Sequence, residues 1–144
     1  MKKSLFLFLF GIAMAYAEAA VVVYLRTLYF PEGFHVASLD HIPLPIYWTE
    51  VGREVATIVM IASVSLLTFF KWKGRIGAFL FVFGLWDIFY YVFLYLFLRW
   101  PPSLLTLDVL FLIPVPWIAP VLLPVTIALG MVVVGFFLII KSPS

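Results

Sequence analysis

Four stretches of this chain keep an apolar composition for about the 20 residues a helix needs to cross a hydrocarbon core. They lie at roughly 4–28, 49–71, 76–98 and 117–140. With 66% hydrophobic and 11% charged residues, the chain sits far below the soluble norm of about 25% charged. A water-soluble domain of 144 residues could not cover so much apolar surface. The expected class is an all-α membrane protein, a multi-pass bundle of four transmembrane helices in one integral domain over 1–144.

The second and third stretches are separated only by Lys71-Trp72-Lys73-Gly74-Arg75, so they should be antiparallel neighbours joined by a tight turn. The region 103–140 is too long and too rich in proline for one helix, because Pro114, Pro116, Pro120 and Pro124 each remove a backbone donor. Residues 103–113 therefore read as a short re-entrant or interfacial helix, with Ser103 as its N-cap, before the chain turns into the fourth span.

The start combines Lys2 and Lys3, an apolar run and Ala15-x-Ala17, which is the layout of a secretory leader. The apolar run continues through Leu25, so an uncleaved first span is the preferred expectation over removal of residues 1–17. Lys2, Lys3, Lys71, Lys73, Arg75 and Lys141 all fall on one side of the layout. The positive-inside rule makes that side cytoplasmic, places both termini there, and puts the 29–48 loop outside an inner membrane. Trp48, Trp72, Trp100 and Trp117 mark span ends, while Trp86 is mid-span.

Charge inside such stretches is costly and points to function. Glu50, Arg53 and Glu54 share one helical turn, and Thr57, Ile61, Ser65 and Thr68 continue their face as a polar stripe. On the first span Glu18, Val22 and Arg26 share a face, and Gly11, Ala15 and Ala19 form a small-residue ridge that admits close helix approach. Asp87 is mid-span, with Tyr90 and Tyr91 one turn on, where a phenol could donate to it. At 1.5 Å per residue, Glu18, Glu54 and Asp87 lie about 12, 9 and 18 Å below the outer ends of their helices. Asp108 joins them if the 103–113 segment folds back.

The candidate buried polar cluster is thus Glu18, Glu50, Arg53, Glu54, Asp87, Tyr90, Tyr91 and Asp108. Five carboxylates against Arg26, Arg53 and Arg99 leave negative charge to be met by protons or a cation. Glu18, Glu54 and Asp87 are the candidate ligands of a divalent cation, with His35 and His41 as weaker ones. The chain has no cysteine and no histidine within a span, so iron–sulfur and haem ligation are disfavoured. The net charge of +2 is no nucleic-acid signature. The expected partners are the lipid bilayer and a larger membrane complex or homo-oligomer. The functional expectation is a cluster, open to the outer face, that binds a proton or cation or pairs with a partner membrane subunit. The alternative is a membrane enzyme using paired carboxylates on a lipid-soluble substrate.

Overall fold

The computed structural model describes residues 1–142. Helix α1 spans Lys2–Tyr29, α2 Leu44–Thr68, α3 Trp72–Leu98 and α4 Leu122–Ile140. All four are long and apolar enough to cross a membrane. A six-residue 3₁₀ helix, Val36–His41, lies between α1 and α2. Strands β1 (Leu107–Val109) and β2 (Ile118–Pro120) lie between α3 and α4.

Helix α3 is the hub: α4 packs on it most extensively, α1 next and α2 least. The α3–α4 contact is close because glycines face it. A Cβ on Gly135 would stand 2.5 Å from the Phe81 nitrogen and 2.7 Å from the Gly77 carbonyl oxygen. One on Gly84 would stand 2.6 Å from the Ala128 carbonyl oxygen. The ridge foreseen on α1 packs inward as expected: Gly11, Ala15 and Ala19 are buried, and Gly11 lies against Leu85 and Val82 of α3. Two apolar clusters result, one around Leu7, Ile61, Phe81 and Leu85, the other around Val22, Tyr91, Leu94 and Val121.

Helix α2 is different. Its only buried residues are Thr57, Ile61 and Ser65, the centre of the foreseen polar stripe. The Ser65 and Thr68 hydroxyls donate to the carbonyls of Ile61 and Val64, so each polar group is satisfied within its own helix. Helix α2 begins at Leu44 rather than near residue 49, because Pro45 falls in the first turn, where a missing N–H costs nothing.

The segment 103–113 corrects the expectation of a short helix. It forms a turn and β1, which pairs antiparallel with β2 in the register Leu107–Pro120, Asp108–Ala119 and Val109–Ile118. Further bonds run from the Leu110 N–H to the Trp117 carbonyl (2.7 Å), and from the Val121 and Leu122 N–H groups to the carbonyls of Thr106 and Leu104. Prolines bound this apolar run on both sides, and the hairpin satisfies its backbone where a helix of that length would leave most terminal groups open. Pro120 sits at the end of its strand, where it withholds no ladder bond. The fourth helix consequently starts at Leu122, not 117.

One end of the bundle gathers the basic residues. The Lys3 ammonium donates to the Thr68 carbonyl at 2.9 Å, joining the start of α1 to the end of α2. Arg75 Nε donates to the Phe69 carbonyl at 2.9 Å in the three-residue link from α2 to α3.

Gly135→Ala should lower the unfolding midpoint of the detergent-purified protein, by an overpacking cost of about 1–3 kcal/mol. Gly52→Ala should leave it level or slightly raise it, since nothing lies within 4 Å of the added carbon. Thermal scans of the two variants check this, and equal midpoints would contradict the glycine packing.

Candidate functional site

Where α2 stands away from α4, the hairpin closes over a cavity of about 320 Å³. All eight residues of the foreseen cluster line it: Glu18, Glu50, Arg53, Glu54, Asp87, Tyr90, Tyr91 and Asp108. Arg26 lines it too. Arg99, counted with the arginines from sequence, does not: it caps α3 in the left-handed conformation (φ 54°), with its guanidinium over Tyr95.

The polar wall begins with Arg53. Its Nε donates to Glu50 Oε1 at 2.9 Å, Nη2 donates to Glu50 Oε2, and Nη1 donates to Glu18 Oε2. One guanidinium therefore holds a carboxylate on its own helix and another on α1. The i, i+3 spacing of Glu50 and Arg53 permits the first bond, and the approach of α1 and α2 supplies the second. The Thr57 hydroxyl lies 2.9 Å from both Glu18 Oε1 and the Arg53 carbonyl oxygen. Glu18, buried on α1, is thus bound at both oxygens.

Glu54 has another task. Both of its oxygens lie 3.0 Å from the Leu112 N–H, which fastens the hairpin loop to α2. Asp108, buried on β1, accepts the Tyr91 hydroxyl at 2.7 Å and faces Arg26 Nη2 at 3.6 Å. Burial pushes the Asp108 carboxyl above the usual carboxylate range, against the opposing pull of Arg26, the Tyr91 hydroxyl and the Val109 N–H. The Arg26 guanidinium is sandwiched between Trp100 at 3.9 Å and Phe34 at 4.2 Å, a cation–π arrangement that partly replaces water.

Asp87 is the exception. Among the described residues it has neither a hydrogen bond nor an ion pair, although it lines the cavity. The expected bond from a neighbouring phenol is not made: the Tyr91 hydroxyl goes to Asp108 instead. Five carboxyl groups thus face two guanidiniums in this cavity.

His35 and His41 remain exposed and line no part of it. No group of three His, Cys, Asp or Glu side chains placed to hold a metal forms among the described residues. Glu18 and Glu54 are occupied by Arg53, Thr57 and Leu112, which explains why they do not converge with Asp87 as a ligand set. Glu32 and Asp40 stay exposed in the loop.

Sequence reasoning passed over three contributors. Arg26 was placed on the Glu18 face but not paired with Asp108. Trp86 stands in the sequence as a mid-span tryptophan next to Asp87, and an indole N–H in an apolar helix itself asks for an acceptor. The Leu112 N–H had no signal, since backbone donors depend on the hairpin.

Comparison with family models, with curated proteins and with solved structures finds no match to this chain. The fold and cavity alone define the class: a mostly helical protein with four membrane-length helices, consistent with an integral membrane protein.

Arg53→Ala would leave Glu18 buried without its cation, at a cost of about 3–5 kcal/mol. Adding Glu18→Gln should recover part of that loss, because the stranded charge is gone. Unfolding midpoints of the single and double variants check this, and a double variant no more stable than Arg53→Ala would contradict the bridge.

Proposed function

We propose that this is a four-span protein of an inner membrane, with both termini cytoplasmic and the acidic cavity in the outer half, and that the cavity's function is to take up and hold protons. Orientation is supported by Lys2, Lys3, Lys71, Lys73, Arg75 and Lys141, all on the helix ends or links of one end of the bundle. The observation that carries the proton reading is Asp87, a carboxyl lining a largely apolar cavity without a partner among the described residues, while the acids around it outnumber the guanidiniums.

Desolvating an ionised carboxylate is expensive, and a proton removes the charge with no ligand cage. A metal ion needs several converging oxygens, and the described residues offer no such group. Arg53 and Arg26 are committed to Glu18, Glu50 and Asp108, and Glu54 accepts the Leu112 N–H, which leaves Asp87 as the group free to change state. Pairing with a partner subunit has less support, since the charges face the cavity rather than the outer surfaces of the helices. The catalytic reading keeps one supporting observation: Asp87 and Asp108 line the same cavity beside Tyr91.

Dicyclohexylcarbodiimide, which partitions into lipid and adds to protonated carboxyls, tests the proposal. In protein reconstituted into liposomes, labelling should map by mass spectrometry to Asp87, decline as the pH is raised, and vanish in Asp87→Asn. Labelling absent from the wild type, or undiminished in Asp87→Asn, would overturn it.

A further inference from the structure

The end of the bundle where α1 begins and α2 and α4 finish carries Lys2, Lys3, Lys71, Lys73, Arg75 and Lys141, with no acidic side chain there among the described residues. The first turn of α1 holds both Lys2 and Lys3, no acid and no capping side chain. The helix dipole disfavours cations at that position and favours an anion. The Lys3 ammonium is fixed in place, donating to the Thr68 carbonyl at 2.9 Å and lying 5.0 Å from the centre of the Phe69 ring. That bond uses one of its three donors. Lys2 is exposed.

Beside these lysines lies a second cavity, a groove of about 520 Å³ between the start of α1 and the end of α4. Lys2, Lys3 and Ser4 form its polar side, and Phe69, Phe136 and Ile139 its apolar side. The apolar side does not stop at the groove. Leu129, Val133, Phe136 and Ile140 are all exposed and recur on one face of α4, so an apolar stripe runs from the lysines towards the middle of the helix. A cationic head site continuous with such a stripe matches an amphiphile whose head is an anion. A free phosphate would engage the lysines alone and leave Phe136 and Ile140 uncovered.

We propose that this groove binds an anionic phospholipid, its phosphodiester head held by Lys2 and Lys3 and an acyl chain laid along α4 past Ile140 and Phe136. The lipid must carry net negative charge: among the described residues no acid lines the groove to meet the ammonium of a zwitterionic head. This goes beyond proton uptake. It rests on the membrane placement of the chain and not on Asp87.

Native mass spectrometry of the full chain, released from detergent micelles and titrated with dioleoylphosphatidylglycerol, tests this. A single lipid per chain should be retained at saturation, and dioleoylphosphatidylcholine should bind about tenfold more weakly. Lys2→Gln combined with Lys3→Gln should weaken phosphatidylglycerol binding about thirtyfold. Lys2→Gln alone, which keeps the bond from Lys3 to Thr68, should weaken it about fivefold. Lys71→Gln combined with Lys73→Gln removes equal charge from the same end but outside the groove, and should cost no more than about threefold. Equal losses in the two double variants would mean diffuse charge rather than a site, and equal retention of the two lipids would mean an unselective surface. Either result would overturn the proposal. So would glycerol 3-phosphate binding as tightly as the lipid, which would make the groove a site for a soluble phosphate ester. Flotation with phosphatidylcholine vesicles checks the membrane placement separately. A chain that floats but retains no phosphatidylglycerol loses this site alone, whereas one that does not float loses the placement and the site together.

Discussion

The Arg53 guanidinium, held between Glu50 of its own helix and Glu18 of α1, is the interaction on which the rest of the site depends. Helix α2 buries only Thr57, Ile61 and Ser65, and it packs on α3 less extensively than α1 and α4 do. Polar ties add to that packing: Arg53 and Thr57 to Glu18, and Glu54 to the Leu112 N–H. Such bonds gain strength where water cannot compete, and each also relieves the cost of burying its own charge. Because α2 forms one wall of the cavity, these ties set its shape as well as its charge.

The contrast with α3 and α4 explains why a cavity exists at all. Glycines and small residues bring those two helices to backbone contact, so the floor leaves no space. On the other side, large aromatic side chains and buried carboxyls keep α2 and α4 from closing on one another. The hairpin then covers the gap and delivers Asp108 from above. A tight half and a loosely joined half make a bundle with room for a ligand or a proton site.

Much of this was legible in the sequence, for definite reasons. Helices as long as α1 and α3 announce themselves by a mainly apolar composition sustained over their length. The ridge of Gly11, Ala15 and Ala19 and the stripe of Thr57, Ile61 and Ser65 follow from helical spacing, and both turned inward. Depth and helix face together bring Glu18, Glu50, Glu54 and Asp87 towards one level, while Asp108 depends on the fold-back of its segment. What escaped depended on contacts between distant segments. An eleven-residue apolar run cannot declare itself helix or strand, so the 107–109 strand has no signature of its own in the sequence. Tyr91 is equally near Asp87 along the helix, and only the hairpin determines that it serves Asp108. The sandwich of Arg26 by Phe34 and Trp100 joins three separate stretches of chain.

Asp87, without a partner among the described residues, is proposed to hold a proton in a cluster whose other carboxyls are all hydrogen-bonded. Infrared spectroscopy of the lipid-reconstituted protein, with ¹³C in the aspartate carboxyls, reads that state directly. A ¹³C-shifted carboxylic-acid C=O band is expected in the wild type at neutral pH and should be missing in Asp87→Asn. A wild type showing only ionised aspartate bands at neutral pH, or a band that persists in Asp87→Asn, would contradict it.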